Sequence, residues 1–166
     1  DAEFVFIVDS ADPLRKVYPF LSDEYEQYIG CALATIPAPD ENGCPGSDGR
    51  NYAEHFLEPF LAALEQIDVR PRIIDNYTSY ANGEFAEKSR IACEKADEIR
   101  EIIERVSSRE LASDWFPYNP YGHNGSLDGV TVTGFEWPYV HWTQNGKAGK
   151  SDLNKAEGKL PRRIDW

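Results

Sequence analysis

The sequence predicts a mixed α/β fold, on three observations. Phe4–Val8 is a continuous apolar run, typical of a strand buried in a parallel sheet. Residues 51–66 and 84–106 carry apolar side chains at helical spacing, with charged residues between them. After Pro117, alternating polar and apolar residues are typical of antiparallel strands. We therefore expect an α/β part over residues 1–116, a small antiparallel β appendage over 117–158 and a return segment over 159–166.

The first predicted strand ends at a residue that can carry chemistry. Asp9 directly follows the apolar run, and Asp9–Pro13 has the composition of a turn. A carboxylate at the carboxyl end of a parallel strand lies where α/β sheets bind their ligands. The alternative is a local role, because aspartate also favours turns by bonding to nearby backbone. Both interpretations of Asp9 stay open at this point.

Turn residues and periodicity predict further elements. Ser22–Ile29 is expected to form a short helix, and Pro37–Arg50, rich in Pro, Gly, Asp and Asn, an exposed loop. Pro59 lies inside the helix predicted over 51–66, so we expect a kink there or a later start. Arg72–Asp75 is predicted to be a strand, and Asn145–Gly146 a hairpin turn.

The most regular pattern covers residues 84–106, which we expect to form one helix. Glu, Lys and Arg fill one face, and the other face carries the apolar positions Ala92, Ala96, Ile99, Ile103 and Val106. In the appendage, Val130–Thr133 and Trp137–Trp142 are predicted strands.

Charge and cysteine usage exclude several classes of protein. The 166 residues carry a net charge of -12, which argues against a general nucleic-acid binder, although basic residues concentrate after Gln144. Cys31, Cys44 and Cys93 are odd in number and lack Cys-x-x-Cys spacing. This pattern argues against a disulfide scaffold or a zinc knuckle and favours a reducing cytoplasm. No apolar run approaches the roughly 18 residues that predict a membrane span.

Generic catalytic motifs are weak in this chain. Gly149-Lys150-Ser151 imitates the end of a phosphate-binding loop, but the position of that motif's first glycine is Gln144. The histidines, His55, His123 and His141, are far apart and lack metal-ligand spacing.

Five segments carry a more specific resemblance, and they follow one another in order. Asp9–Val17 reads Asp-Ser-Ala-Asp-Pro-Leu-Arg-Lys-Val, and Asn51–Phe56 reads Asn-Tyr-Ala-Glu-His-Phe. The other three are Ile36–Asp40, Asp114–Pro117 and the closing run from Gly158 to Trp166. Each is similar to a segment of the class I, archaeal-type lysyl-tRNA synthetases.

The resemblance implies part of a Rossmann catalytic domain with an inserted connective region. The family activates lysine with ATP and transfers it to the 3′ end of tRNA(Lys). Its two ATP signatures, of His-x-Gly-His and Lys-Met-Ser-Lys-Ser type, stabilise charge in the transition state. Neither occurs in these 166 residues. We therefore expect an internal piece of a larger ligase that is inactive alone, and the closing Ile-Asp-Trp of residues 164–166 gives the same expectation.

Two residues are expected to reach the lysine substrate. Asp9 can pair with an ammonium group at the end of its strand. Trp166 lies in the segment that supplies an aromatic wall to the family's lysine pocket, where an indole can pack on the methylene stem or face the ammonium. The alternative for Trp166 is a tryptophan of the core.

The resemblance also bears on the appendage, which in relatives carries zinc ligands. The matching positions here are Gly122, Gly125, Thr143, and Gly146 or Lys147. None is a ligand in this pattern, because zinc needs thiolate or imidazole groups at such spacing. We predict a degenerate zinc ribbon without metal. Aromatic packing is expected to replace the metal, through Trp137, Tyr139 and Trp142.

The same region faces the tRNA acceptor end in the family. The phosphate contacts are therefore expected from the basic residues Lys147, Lys150, Lys155, Arg162 and Arg163. The alternative is a solvated basic face without a partner.

Two other functions stay open at this stage. One is a non-catalytic module derived from a synthetase, which binds a tRNA acceptor stem or another protein. The other is an unrelated small acidic hydrolase, based only on scattered Asp, Glu and His residues.

Overall fold

The computed structural model describes residues 3–161, which form two compact units that divide between Tyr77 and Thr78. Helices and strands both contribute, as predicted for a mixed α/β chain. Among the described residues, no helix is both long and apolar enough to cross a membrane. The predictions for Arg162, Arg163 and Trp166 lie outside this range.

The first unit contains a parallel pair of strands, β1 (Val5–Val8) and β2 (Arg72–Asp75). Their register runs from Val5 opposite Arg72 to Val8 opposite Asp75. The predicted strands are confirmed, but the predicted burial of β1 is wrong, since Ile7 is 43% exposed. Within residues 3–161, β1 pairs with β2 alone, so the strand lacks the neighbours that bury a central strand.

Helix α1 (Tyr52–Gln66) lies in the crossover that parallel strands require. It begins with a capping box: the Asn51 side chain accepts from the Glu54 N–H at 2.9 Å, and the Glu54 carboxylate accepts from the Asn51 N–H at 3.0 Å. The helix continues through Pro59 and does not start late. Proline removes one helical N–H donor here, and the rest of the helix is retained.

The core of the first unit lies around a buried tyrosine. The short helix predicted near Ser22–Ile29 is a 3-10 helix, Asp23–Tyr28, and its Tyr25 donates to the Pro37 carbonyl at 2.9 Å. The core cluster comprises Leu14, Leu21, Tyr25, Cys31, Ile36 and Tyr52. The loop after Pro37 is less exposed than predicted, because Ala38 is buried.

Three helices follow β2: α2 (Asn76–Ala81), α3 (Ala86–Glu94) and α4 (Ala96–Ser107). The prediction of one helix over 84–106 is wrong. Lys95 adopts φ -108 and ψ 26, which interrupts the helix. The apolar spacing continues across the break, so periodicity alone could not reveal it. Val106, the last position of the predicted apolar face, is 76% exposed.

The rest of the second unit is antiparallel, as predicted from the alternation of its residues. Strands β4 (Val130–Glu136), β5 (Tyr139–Gln144) and β6 (Lys147–Asp152) form a three-stranded meander. The β5–β6 turn has positive φ at both Asn145 and Gly146, the signature of a type I′ hairpin. Two short strands, β3 (Asn119–Pro120) and β7 (Gly158–Lys159), form a separate pair.

One face of the meander packs on the second core. On β5, Val140, Trp142 and Gln144 are buried, while the residues between them are half-buried. The core cluster comprises Ala92, Cys93, Tyr118, Val140, Leu153 and Leu160. The meander therefore has an inner face and an open face, and this decides which side chains are accessible.

Candidate functional site

The carboxyl ends of the two parallel strands bring two polar residues together. Val8 lies opposite Asp75, so the residues that follow, Asp9 and Asn76, emerge side by side. The Asn76 Nδ2 group donates to Asp9 Oδ1 at 2.8 Å. The N–H of Asp12 donates to the Asp9 carbonyl at 3.0 Å, which confirms the predicted turn. Asp9 therefore serves the turn through its backbone and contacts Asn76 through its carboxylate.

Asn76 is almost fully buried, with 2% of its surface exposed. Its Oδ1 atom accepts from the Ala11 N–H at 2.9 Å and from Ser10 Oγ at 3.4 Å. Ser10 Oγ in turn accepts from the Tyr77 N–H at 3.2 Å. Sequence reasoning missed Asn76, although it follows β2 just as Asp9 follows β1. Ligands of α/β sheets bind at the carboxyl ends of the strands, and this applies to Asn76 as well as to Asp9 once β1 and β2 are known to pair.

A cavity of about 510 Å³ opens beside Asp9. Aromatic side chains supply much of its wall, namely Phe6, Tyr18, Phe20, Tyr52, Phe56 and Phe60, and its polar lining includes Asp9, Ser10, Asp12 and Arg15. Burial raises the pKa of Tyr52, so its hydroxyl stays neutral at physiological pH. This volume lies in the usual range of small-molecule sites.

The turn at Gly122–Ser126 in the appendage is closed by hydrogen bonds. The Gly122 N–H donates to the Ser126 carbonyl at 2.8 Å, and the Gly125 N–H donates to the Gly122 carbonyl at 2.9 Å. Gln144 lies on β5, its side chain contacts this turn, and the residue is 6% exposed. Its Oε1 accepts from the His123 N–H at 2.9 Å, and its Nε2 donates to Asn124 Oδ1 at 3.0 Å and to the Asp128 carbonyl at 2.9 Å.

The structure corrects the expectation that three aromatic residues replace the metal. Trp137 is 44% exposed, and Tyr139 lies on the open face of the meander. Only Trp142 is buried, where its Nε1 donates to Ser151 Oγ at 3.0 Å. Gln144, which sequence reasoning did not select for this role, makes the contacts that join the turn to the sheet. Residues 3–161 contain no group of three or more His, Cys, Asp or Glu residues placed to hold a metal ion.

The predicted phosphate-binding lysines do not form one cluster. Lys147 and Lys150 are three residues apart on β6, so they lie on opposite faces of the meander. Lys150 lies on the open face with its Nζ 4.3 Å from the Tyr139 ring centroid. Lys155 Nζ lies 3.8 Å from carboxylate oxygens of both Asp152 and Glu157. Two carboxylates therefore flank this lysine, whose side chain is 63% exposed.

Comparison with known proteins places this chain among the class I tRNA synthetases. Residues 1–166 match the family described as tRNA synthetases class I (K), and the chain belongs to this family. Its similar proteins include the lysine–tRNA ligase of Picrophilus torridus, which is 38% identical over 99% of this chain and 32% of the relative. The lysine–tRNA ligase of Archaeoglobus fulgidus is 39% identical over 100% of this chain and 33% of the relative. The chain thus spans about a third of the length of these relatives.

Proposed function

We propose that this chain forms part of a lysine–tRNA ligase that activates lysine with ATP and transfers it to tRNA(Lys). Membership of the class I tRNA synthetases (K) supports the reaction class, and relatives named lysine–tRNA ligase support the amino acid. The single observation in the structure that carries the proposal is Asp9. Asp9 directly follows a parallel strand and is one of the residues that line an aromatic cavity.

In the proposed site, Asp9 pairs with an ammonium group of lysine, while the aromatic wall receives the methylene stem. Trp166 supplies a second apolar surface to lysine in this proposal, on the strength of the closing motif in the sequence. ATP is a substrate of the whole enzyme. Its phosphates are bound by signature motifs that the 166 residues do not contain.

The appendage is proposed to meet the acceptor end of tRNA as a degenerate zinc ribbon without metal. The candidate phosphate contacts from the sequence are Lys147, Lys150, Lys155, Arg162 and Arg163. Among the lysines, Lys147 and Lys150 support the proposal, and Lys155, beside Asp152 and Glu157, contributes least. The absence of zinc is proposed because Gly122 and Gly125 lack donors and Gln144 already bridges the turn. Metal analysis of the purified chain tests this, and one zinc per chain would refute it.

We further propose that the domain limits predicted from the sequence apply in the whole enzyme. Residues 1–116 then belong to the catalytic domain and its helical insertion, 117–158 to the appendage and 159–166 to a return segment. The three cysteines form no disulfide, which is consistent with a reducing compartment such as the cytoplasm.

Lysine-dependent exchange of pyrophosphate into ATP tests the proposed reaction. We expect exchange from the full-length polypeptide that contains this chain and none from the 166 residues, because they lack both signatures. Exchange that responds to another amino acid would refute lysine as the substrate. A full-length polypeptide that binds tRNA but catalyses no exchange would instead favour the non-catalytic module.

A further inference from the structure

We infer that Asn76 is the positioning residue for the Asp9 carboxylate, and that it thereby controls the affinity of the site for lysine. This inference rests on the proposed function, since it assumes that Asp9 contacts the substrate. Asn76 lies 67 residues from Asp9 along the chain and is brought to it by the register of β1 and β2.

The orientation of the Asn76 amide follows from its surroundings. A backbone N–H can only donate, so the Ala11 N–H, 2.9 Å away, requires an oxygen, and Oδ1 must face it. The Nδ2 group then points to Asp9 Oδ1 at 2.8 Å. An ionised carboxylate accepts this hydrogen bond, and a charge-assisted bond of this kind is stronger than a neutral one.

Burial restricts the movement of the hydrogen-bonded side chains of Asn76 and Ser10. Asn76 is 2% exposed and Ser10 is 1% exposed, so water does not compete effectively for their hydrogen bonds. One amide therefore joins the backbone of the turn at Ala11 to the carboxylate of Asp9, a residue that lines the cavity. A binding site gains affinity when its charged group is held in place before the ligand arrives.

Two substitutions separate a positioning role from a merely structural one. Asn76→Ala removes all contacts of the amide. Asn76→Asp is nearly isosteric and keeps an oxygen for Ala11, but it replaces the donor that faces Asp9 with a second carboxylate oxygen. A structural role predicts that Asn76→Asp is the milder change. A positioning role predicts that it is the more damaging one for lysine binding.

The experiment is lysine-dependent ATP–pyrophosphate exchange by the full-length polypeptide, with KM measured for lysine and for ATP. We expect Asn76→Ala to raise the KM for lysine about tenfold, the effect of losing one charge-assisted hydrogen bond. Asn76→Asp should raise it further, with the KM for ATP changed less than about twofold in both variants. In an enzyme that already carries Asp9→Asn, Asn76→Ala should raise the KM for lysine by less than about twofold further. The carboxylate that Asn76 positions is then absent.

Asn154→Ala is the matched control, since Asn154 Nδ2 likewise donates to an aspartate, Asp152 Oδ1, at 2.9 Å, and Asn154 does not line the cavity. It should leave the KM for lysine unchanged. Three results would overturn the positioning role. The first is a smaller rise in the KM for lysine in Asn76→Asp than in Asn76→Ala, and the second is an equal rise in the KM for lysine and for ATP. The third is full additivity of Asn76→Ala with Asp9→Asn. An Asp9→Asn enzyme with unchanged KM for lysine would instead refute the assignment of Asp9 itself, and the two failures are therefore distinguishable.

Discussion

The carboxamide of Gln144 fills the space into which a side chain at Gly122 would project. A Cβ added to Gly122 would clash with the Gln144 amide, whose oxygen accepts from the neighbouring His123 N–H at 2.9 Å. A side chain at Gly122 would therefore displace the Gln144 amide from its three hydrogen-bond partners. The two residues lie in different segments, and their contact joins the 122–126 turn to β5.

Replacing Gln144 tests how much this contact contributes to stability. Gln144→Ala should lower the free energy of unfolding by about 2–4 kcal/mol, since it leaves buried backbone and side-chain groups without their partner. Urea denaturation of the purified chain measures the change. Gln27→Ala is the control, because the Gln27 amide bonds to the Glu24 carbonyl at an exposed position. Equal losses for the two variants would contradict the bridging role of Gln144.

A second stability prediction concerns two glycines with positive φ. Gly43 has φ 77 and a Cβ there would clash with the Phe20 carbonyl oxygen, whereas Gly49 has φ 86 and open space around it. Gly49→Ala therefore carries only the backbone penalty of about 1 kcal/mol. Gly43→Ala adds a steric penalty and should lose at least about 2 kcal/mol in the same denaturation experiment. Similar losses would show that the Gly43 turn can shift away from Phe20.

The buried thiol of Cys93 predicts how stability depends on pH. Burial raises the pKa of Cys93 from 9.0 to about 12, with a smaller contribution from Glu94. A raised pKa favours the neutral thiol in the folded state, so its stabilisation is complete below pH 9 and is lost as pH rises toward about 12. The free energy of unfolding should fall over this range. Cys93→Ala should show a smaller fall, and an identical fall would exclude Cys93 as the cause.

The lysines of the appendage should differ in their effect on tRNA binding. Lys147→Ala and Lys150→Ala should each weaken binding of a tRNA(Lys) acceptor-stem hairpin and reduce the slope of log affinity against log salt by about 0.7–0.9. Lys155→Ala should have little effect, because its ammonium lies 3.8 Å from Asp152 and Glu157. Fluorescence anisotropy with the full-length polypeptide measures this. A large effect of Lys155→Ala would show that these ion pairs open on binding.

The sequence by itself determined the features that depend on neighbouring residues. The apolar run before Asp9 and the type I′ turn at Asn145–Gly146 are both present, because strand propensity and turn chemistry act locally. The ordered motifs likewise indicated the synthetase family, which the comparisons confirm. These signals needed no knowledge of which segments meet in space.

Only the tertiary structure decided the contacts between distant segments. The pairing of Asn76 with Asp9 depends on the register of two strands, and the position of Gln144 depends on how β5 faces the turn. The break in the helix at Lys95 is also visible only in the structure, because the apolar spacing of the sequence continues through it. Sequence periodicity predicts which face of an element is apolar, but it does not specify the partner that covers that face. Buried polar side chains are selected by their partners, so their roles emerge only when the packing is known.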